Sequence, residues 1–283
     1  MTKLRIDYHV HESHSGDAKE STIKDYIMKA EIIGIDEIAF TTHLLFSTPD
    51  IHISIKINEI ESYIKEIEQA QQNTSVSLLK GFEVDYIPSD EKKIEKIIDE
   101  YSLDIILGSV HYVNGNDIGS KSNSIKYFKG RALSKAADEY YGVWKQAVET
   151  GLFDVMAHPD YWRKHVAQVH PRTLKWIDYG STINSALDSL LSYGVGLEIN
   201  TSGFKHGLGT NFPLDCLLQA AKNRGVNNIT IGSDSHKISE LGNHYEDAVS
   251  QIRRIGYDKV TRYKDRKPAQ VGLTTNLLKE EKV

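Results

Sequence analysis

DYHVHESHSGD, residues 7–17, sets three histidines, two aspartates and a glutamate into eleven positions at the end of the apolar run LRIDYHV (4–10). In an extended segment side chains alternate, so the imidazoles of His9 and His11 point to one face and can share an ion. The same pair could equally sit on a solvated edge, and the rest of the chain has to decide. Six further runs match the first: DEIAFTTH (36–43), VSLLKGFEVD (76–85), LDIILGSVHY (103–112), FDVMAHPD (153–160), VGLEINTS (195–202) and NNITIGSDSH (227–236). Their Ile, Val, Leu and Phe content suits parallel strands buried on both faces.

Helical patterns lie between these runs. In STIKDYIMKAEIIG, Ile23, Ile27, Ala30 and Ile33 share a face, Thr22 and Asp25 form a capping box, and Gly34 stops the helix. SDEKKIEKIIDEY repeats the scheme with Ser89 as N-cap, and PLDCLLQAAKNRG runs from Pro213 to Gly225. Strands alternating with helices imply right-handed crossovers and a parallel sheet, open or closed. The strand ends favour closure. Each run ends in ligand-type residues: His9 and His11, His43, Glu83, His111, His158, Glu198 or Asn200, then Asp234 and His236. The C-terminal edge of a parallel sheet is where sites are built, and only a closed sheet focuses seven such ends on one point. The expectation is therefore an α/β fold, a seven-stranded (β/α)7 barrel formed by a single domain over 1–283. A final helix would present Leu241, Tyr245, Val249 and Ile252, and the last ~20 residues, polar in KDRKPAQVGL and beyond, would form a flexible tail.

The chain has 283 residues, 40% hydrophobic, with a net charge of -5 and pI ≈ 6.2. That balance offers no basic footprint for nucleic acid or an anionic membrane. One cysteine, Cys216, excludes an internal disulfide framework and fits a reducing compartment. No signal-peptide pattern opens the chain and no apolar run approaches 18 residues, so a soluble cytoplasmic protein is expected. Imidazole and carboxylate donors without thiolate suit Zn, Fe or Mn. Six histidines with Glu83 and one or two aspartates exceed what one ion needs and match two or three, with Glu83 as the natural bridge. His52, His165, His170, His206 and His244 fall in loops or on helices and are expected to be ordinary polar contacts as metal ligands go.

The ordered motifs HVH (9–11), TTH (41–43), GFEVD (81–85), GSVHY (108–112), AHPD (157–160) and GSDSH (232–236) resemble those of the PHP superfamily of metal-dependent phosphoesterases. GSVHY, AHPDYWR and LEINTSG look most like its stand-alone histidinol-phosphate phosphatase branch. The resemblance implies a distorted seven-stranded barrel holding three ions. One would lie with His9, His11, Glu83 and Asp234, and a second with Glu83, His111 and His158. The third would lie with His43, His236 and Asp17, a place where many relatives carry histidine; His14 is the competing ligand. The implied activity is hydrolysis of L-histidinol phosphate in histidine biosynthesis by a metal-activated hydroxide, without a phosphoenzyme, and with Glu83, Asp234 and His236 at the catalytic centre. Nucleotides, oligonucleotides or phosphotyrosine are the alternative substrates, and a non-catalytic metal-binding protein is the alternative class. Arg163 in DYWRKH and Ser202, Lys205 and His206 in NTSGFKHG are candidate phosphate contacts. Asp160 or Glu198 could meet the substrate ammonium.

Overall fold

The protein, seen in a computed structural model that describes residues 3–273, is built on seven parallel strands. These are β1 (Ile6–Val10), β2 (Glu37–Leu44), β3 (Ser77–Asp85), β4 (Ile105–Ser109), β5 (Val155–Met156), β6 (Gly196–Asn200) and β7 (Ile229–Gly232). They pair in chain order, and the ends meet where Val10 bridges Ser235: His11 N–H donates to the Ser235 carbonyl at 2.8 Å and Ser235 N–H to the His9 carbonyl at 3.2 Å. The result is a nearly closed barrel, as the strand ends required. β1, β2, β4 and β6 are buried along their whole length, which is why they read as continuous apolar runs rather than alternating ones. The fifth run shrinks to two paired residues.

Helices cover the outside: α1 (Ile23–Ile33), α2 (Ile60–Gln71), α3 (Glu91–Glu100), α4 (Lys121–Phe128), α5 (Leu133–Glu149), α6 (Thr182–Tyr193), the short α7 (Ser202–Lys205), α8 (Asp215–Asn223) and α9 (Tyr245–Ile255). Thr22 caps α1, its hydroxyl accepting from Asp25 N–H, and Gly34 ends it at φ 74°. Leu241, Tyr245, Val249 and Ile252 are buried, as the final helix required. Ser89 does not cap α3. It lies inside a 3-10 turn, Pro88–Asp90, which delays the helix to Glu91, while the Asp90 carboxylate accepts from Ser47 and Lys93.

The stretch past Lys264 is not a loose tail as far as Leu273. β8 (Lys259–Lys264) and β9 (Lys267–Leu273) form an antiparallel hairpin, and β9 pairs in parallel with the short strand Lys3–Leu4. Asp265 and Arg266 both take positive φ, 48° and 60°, making the kind of two-residue turn that matches strand twist without the usual Asn-Gly signal. Arg266 reaches the Asp154 carboxylate and the Leu152 carbonyl, and its N–H meets the Asp104 carbonyl, so the hairpin is fixed to the chain entering β4 and β5. Residues 274–283 of the expected tail lie outside the described residues.

Candidate active site

Six of the twelve histidines converge at the C-terminal mouth of the barrel. Register does part of this. His43 and Glu83 are paired neighbours on β2 and β3, and His43 Nδ1 lies 3.0 Å from Glu83 Oε2. The same oxygen is 3.3 Å from His9 Nε2 and 3.5 Å from His11 Nε2, while Oε1 lies 2.9 Å from His158 Nε2 and 3.9 Å from His111 Nε2. Asp234 Oδ1 stands 3.6 Å from His11 Nε2 and 3.5 Å from His236 Nδ1. Asp17 Oδ2 reaches His236 Nε2 at 3.2 Å and His43 Nε2 at 3.5 Å. Three donor groups each bring one atom per residue within 4.8 Å of the others: His9, Glu83 and His158; His9, His11 and Asp234; His11, His43 and His236.

Loops outside the strands complete the set. Gly16 packs flat on residues 52–53, where a Cβ would stand 2.5 Å from the His52 carbonyl oxygen, and this approach swings Asp17 into the cluster. His14 goes elsewhere, hydrogen-bonded to Glu12 at 2.9 Å and edge-on to Tyr63. The Ser15 hydroxyl shares a hydrogen bond with that of Thr42, lies 3.4 Å from His11 Nδ1 and accepts from His43 N–H. Asp85 accepts from His111 N–H and lies 3.0 Å from its Nδ1, which fixes that ring. His158 and Asp234 both hold positive φ, 26° and 55°, strain that concentrates at functional sites.

Electrostatics follow from this crowding. Burial opposes charge on His9, but Glu198, Glu83 and Asp234 hold its pKa well above the usual value. His43 is likewise buried, yet Asp17 and Glu83 push it up to about 10. Burial and the neighbouring His43 and His236 hold His11 well below its ordinary value. Against their own burial, Glu83 is kept well down by His9, His158 and His43, and Asp234 by His9 and His11. The upward shifts at His9 and His43 favour positive charge between carboxylates that burial has forced together, the place a cation would take. The donor set, imidazole and carboxylate without thiolate, fits hard to borderline divalent ions, and the buried His158 Nδ1 has no hydrogen-bond partner.

A cleft of about 320 Å³ opens above the cluster. The expected phosphate contacts divide. Lys205 and His206 line it, although Lys205 is paired with Glu240 at 2.9 Å and burial beside Lys164 lowers His206 to about 3, leaving a neutral ring. Arg163 does not line it. Its guanidinium is buried over Phe212, donating to Asp160 at 2.6 Å and to the Asn211 carbonyl at 2.7 Å. Ser202 is also buried, in a separate hollow beside Phe204 and His244. Asp160 is enclosed, accepting from Arg163, Tyr179 and Leu214 N–H, and Glu198 sits behind His9. The residue that sequence reasoning missed is Lys164. It faces the cleft, donates to Tyr161 OH at 2.6 Å, and burial lowers its pKa. Its only signal was adjacency to Arg163 in DYWRKH. Asp50, Asp85 and Asp117 also line the cleft.

Comparison with known proteins adds to this geometry. The model of the PHP domain family matches residues 7–202. A probable histidinol-phosphatase of Deinococcus radiodurans is 30% identical over 92% of this chain and 97% of its own length. The histidinol-phosphatase of Lactococcus lactis is 26% identical over 92% and 94%. Among solved structures, the histidinol phosphate phosphatase of Lactococcus lactis, complexed with zinc, L-histidinol and phosphate, superposes with a TM-score of 0.79 at 23% identity, covering 95% of this chain and all of that one.

Proposed function

Because the chain belongs to the PHP domain family, we propose that the cleft hydrolyses a phosphomonoester with the help of two or three divalent ions, and that the ester is L-histidinol phosphate. The observation that carries the reading is Glu83, a fully enclosed carboxylate whose two oxygens face different histidines. His9, His11, Glu83 and Asp234 would hold one ion, Glu83, His111 and His158 a second, and His43, His236 and Asp17 a third. Zinc, iron and manganese all accept these donors. Bound there, such ions lower the pKa of coordinated water towards neutrality and neutralise phosphate oxygens.

The chain's own groups would supply the rest. Lys164, held at the cleft by Tyr161, is placed to meet phosphate as a cation, with Lys205 at the rim and neutral His206 as a hydrogen-bonding group. Asp50 and Asp117 also line the cleft and put negative charge there, complementary to the amine and imidazole of histidinol. Cys216 lies outside this cleft, in a hollow with Leu214 and Gln251. The names of the relatives from Deinococcus radiodurans and Lactococcus lactis support the same substrate.

The test is phosphate release from L-histidinol phosphate beside a panel of phosphomonoesters and dinucleotides, with metal content measured on the same sample. Two or three ions per chain and a strong preference for histidinol phosphate are expected. Metal with a preference for another ester would keep the chemistry and replace the substrate. A sample that holds no metal and gains no activity on reconstitution would sink the reading.

A further inference from the structure

We propose that Glu198 is the positioning residue that sets His9 and His158 for the metal centre, an inference that rests on the metal-dependent reading above. Glu198 lies on β6, is fully buried, and lies outside the cleft. One of its oxygens, Oε1, is 2.8 Å from His9 Nδ1. The other, Oε2, accepts the backbone N–H of His158 at 2.8 Å and the Asn200 side-chain amide at 2.9 Å. Thus one carboxylate spans β1, the loop after β5, and β6, and touches two members of the group formed by His9, Glu83 and His158.

Each contact has a separate consequence. A carboxylate at Nδ1 makes that nitrogen the donor, so the Nε2 lone pair of a neutral His9 is directed at Glu83 and the cluster. The contact to the His158 N–H acts on the backbone instead. His158 holds φ 26°, a conformation that a non-glycine residue adopts only where surrounding bonds enforce it. That twist is what carries His158 Nε2 to within 2.9 Å of Glu83 Oε1. Room for the carboxylate comes from Gly232 on β7, where a Cβ would stand 2.0 Å from Glu198 Oε1 and 2.5 Å from the His9 Cβ. Three strands and the loop after β5 therefore agree on the place of one carboxylate that reaches no solvent and no substrate.

Glu198→Gln tests the role, because it keeps the volume but presents an N–H₂ group to donors that need an acceptor. Wild type and variant are titrated with zinc in chelator-buffered solutions, with ion stoichiometry and the circular dichroism of the stripped proteins read in parallel. The expected result is an unchanged fold with zinc affinity lowered about 10–100-fold for one ion, and activity that recovers when excess zinc is supplied. A folded variant with wild-type stoichiometry and affinity would overturn the proposal. If the variant does not fold, Glu198→Asp, which keeps the charge and withdraws it by one methylene, is put through the same titration, and undiminished affinity there overturns it equally. Wild-type protein that takes up no zinc would instead sink the metal-dependent reading itself, so the two failures are told apart.

Discussion

A carboxylate with His43 3.0 Å from one oxygen and His158 2.9 Å from the other, sealed from solvent, needs its charge balanced. At Glu83 the raised pKa values of His9 and His43 favour imidazolium charge as that balance, which bound cations would replace. Glu83→Gln removes half of the negative charge that two ions would share. It should therefore cost more than the roughly 10–100-fold in metal affinity typical of outer partners, and phosphate release with it. A fully metallated, active variant would refute the bridging role. Lys164→Ala should leave metal content intact and lower kcat/KM about 10- to 100-fold, the worth of a hydrogen bond to a charged group at about 1.5–3 kcal/mol. The same substitution of Arg163 should act instead through stability, since its guanidinium serves buried Asp160 and the Asn211 carbonyl. Steady-state kinetics beside metal analysis and urea denaturation separates the two.

At the scale of elements, the hairpin β8–β9 is a brace on the lower end of the barrel. Asp154 is buried enough to raise its pKa, and Arg266 works against that rise while also bonding the Leu152 carbonyl. Arg266→Ala leaves a buried carboxylate without its cation and should cost about 1–3 kcal/mol, read as a lower urea midpoint with metal content unchanged. An unaltered midpoint would mean that the hairpin merely lies against the barrel. The hairpin was illegible in the sequence for a local reason. Its turn is Asp265-Arg266 rather than a glycine-bearing pair, and its second strand, KPAQVGL, is exposed over its first four residues. The seven barrel strands were legible because burial on both faces leaves an unmistakable apolar run.

Across the whole molecule, the cluster joins β1, β2, β3 and the loops after β4, β5 and β7, so ion binding and folding are linked. At metal concentrations a thousandfold above Kd, each ion adds about 4 kcal/mol. Stripping should then lower Tm by about 10 °C or more, which calorimetry before and after chelation would show. The pH dependence has a definite sign. His9 and His43 have raised pKa values in the metal-free fold, so their contribution is complete below the unfolded histidine value of about 6.5. For His43 it is lost as pH rises through about 10. Glu83 and Asp234 are shifted down, so theirs is present above about 4 and is lost only in acid. Zinc uptake at pH 7 should accordingly release protons, with His9 and His43 among their sources. Calorimetric titration in buffers of different ionisation enthalpy measures this, and zero release would contradict the protonation described.

What the sequence by itself determined is the set of groups at the ends of the strand runs, His9, His11, His43, Glu83, His111, His158, Asp234 and His236, because strand period and the direction of a parallel barrel leave the ends of β-runs one place to go. Tertiary structure decided what lies beyond the strand ends. In the 3-10 turn Tyr161–Lys164 consecutive side chains point about 120° apart, so Arg163 turns into the packed interior and Lys164 to the cleft, with nothing in DYWRKH to distinguish them. Asp17 rather than His14 joins the cluster because Gly16 packs on residues 52–53, more than thirty positions away. Glu198 faces His9 rather than the cleft because β6 lies beside β7, where Gly232 leaves the space. Each of these depends on contacts between distant parts of the chain, and local pattern carries no record of them.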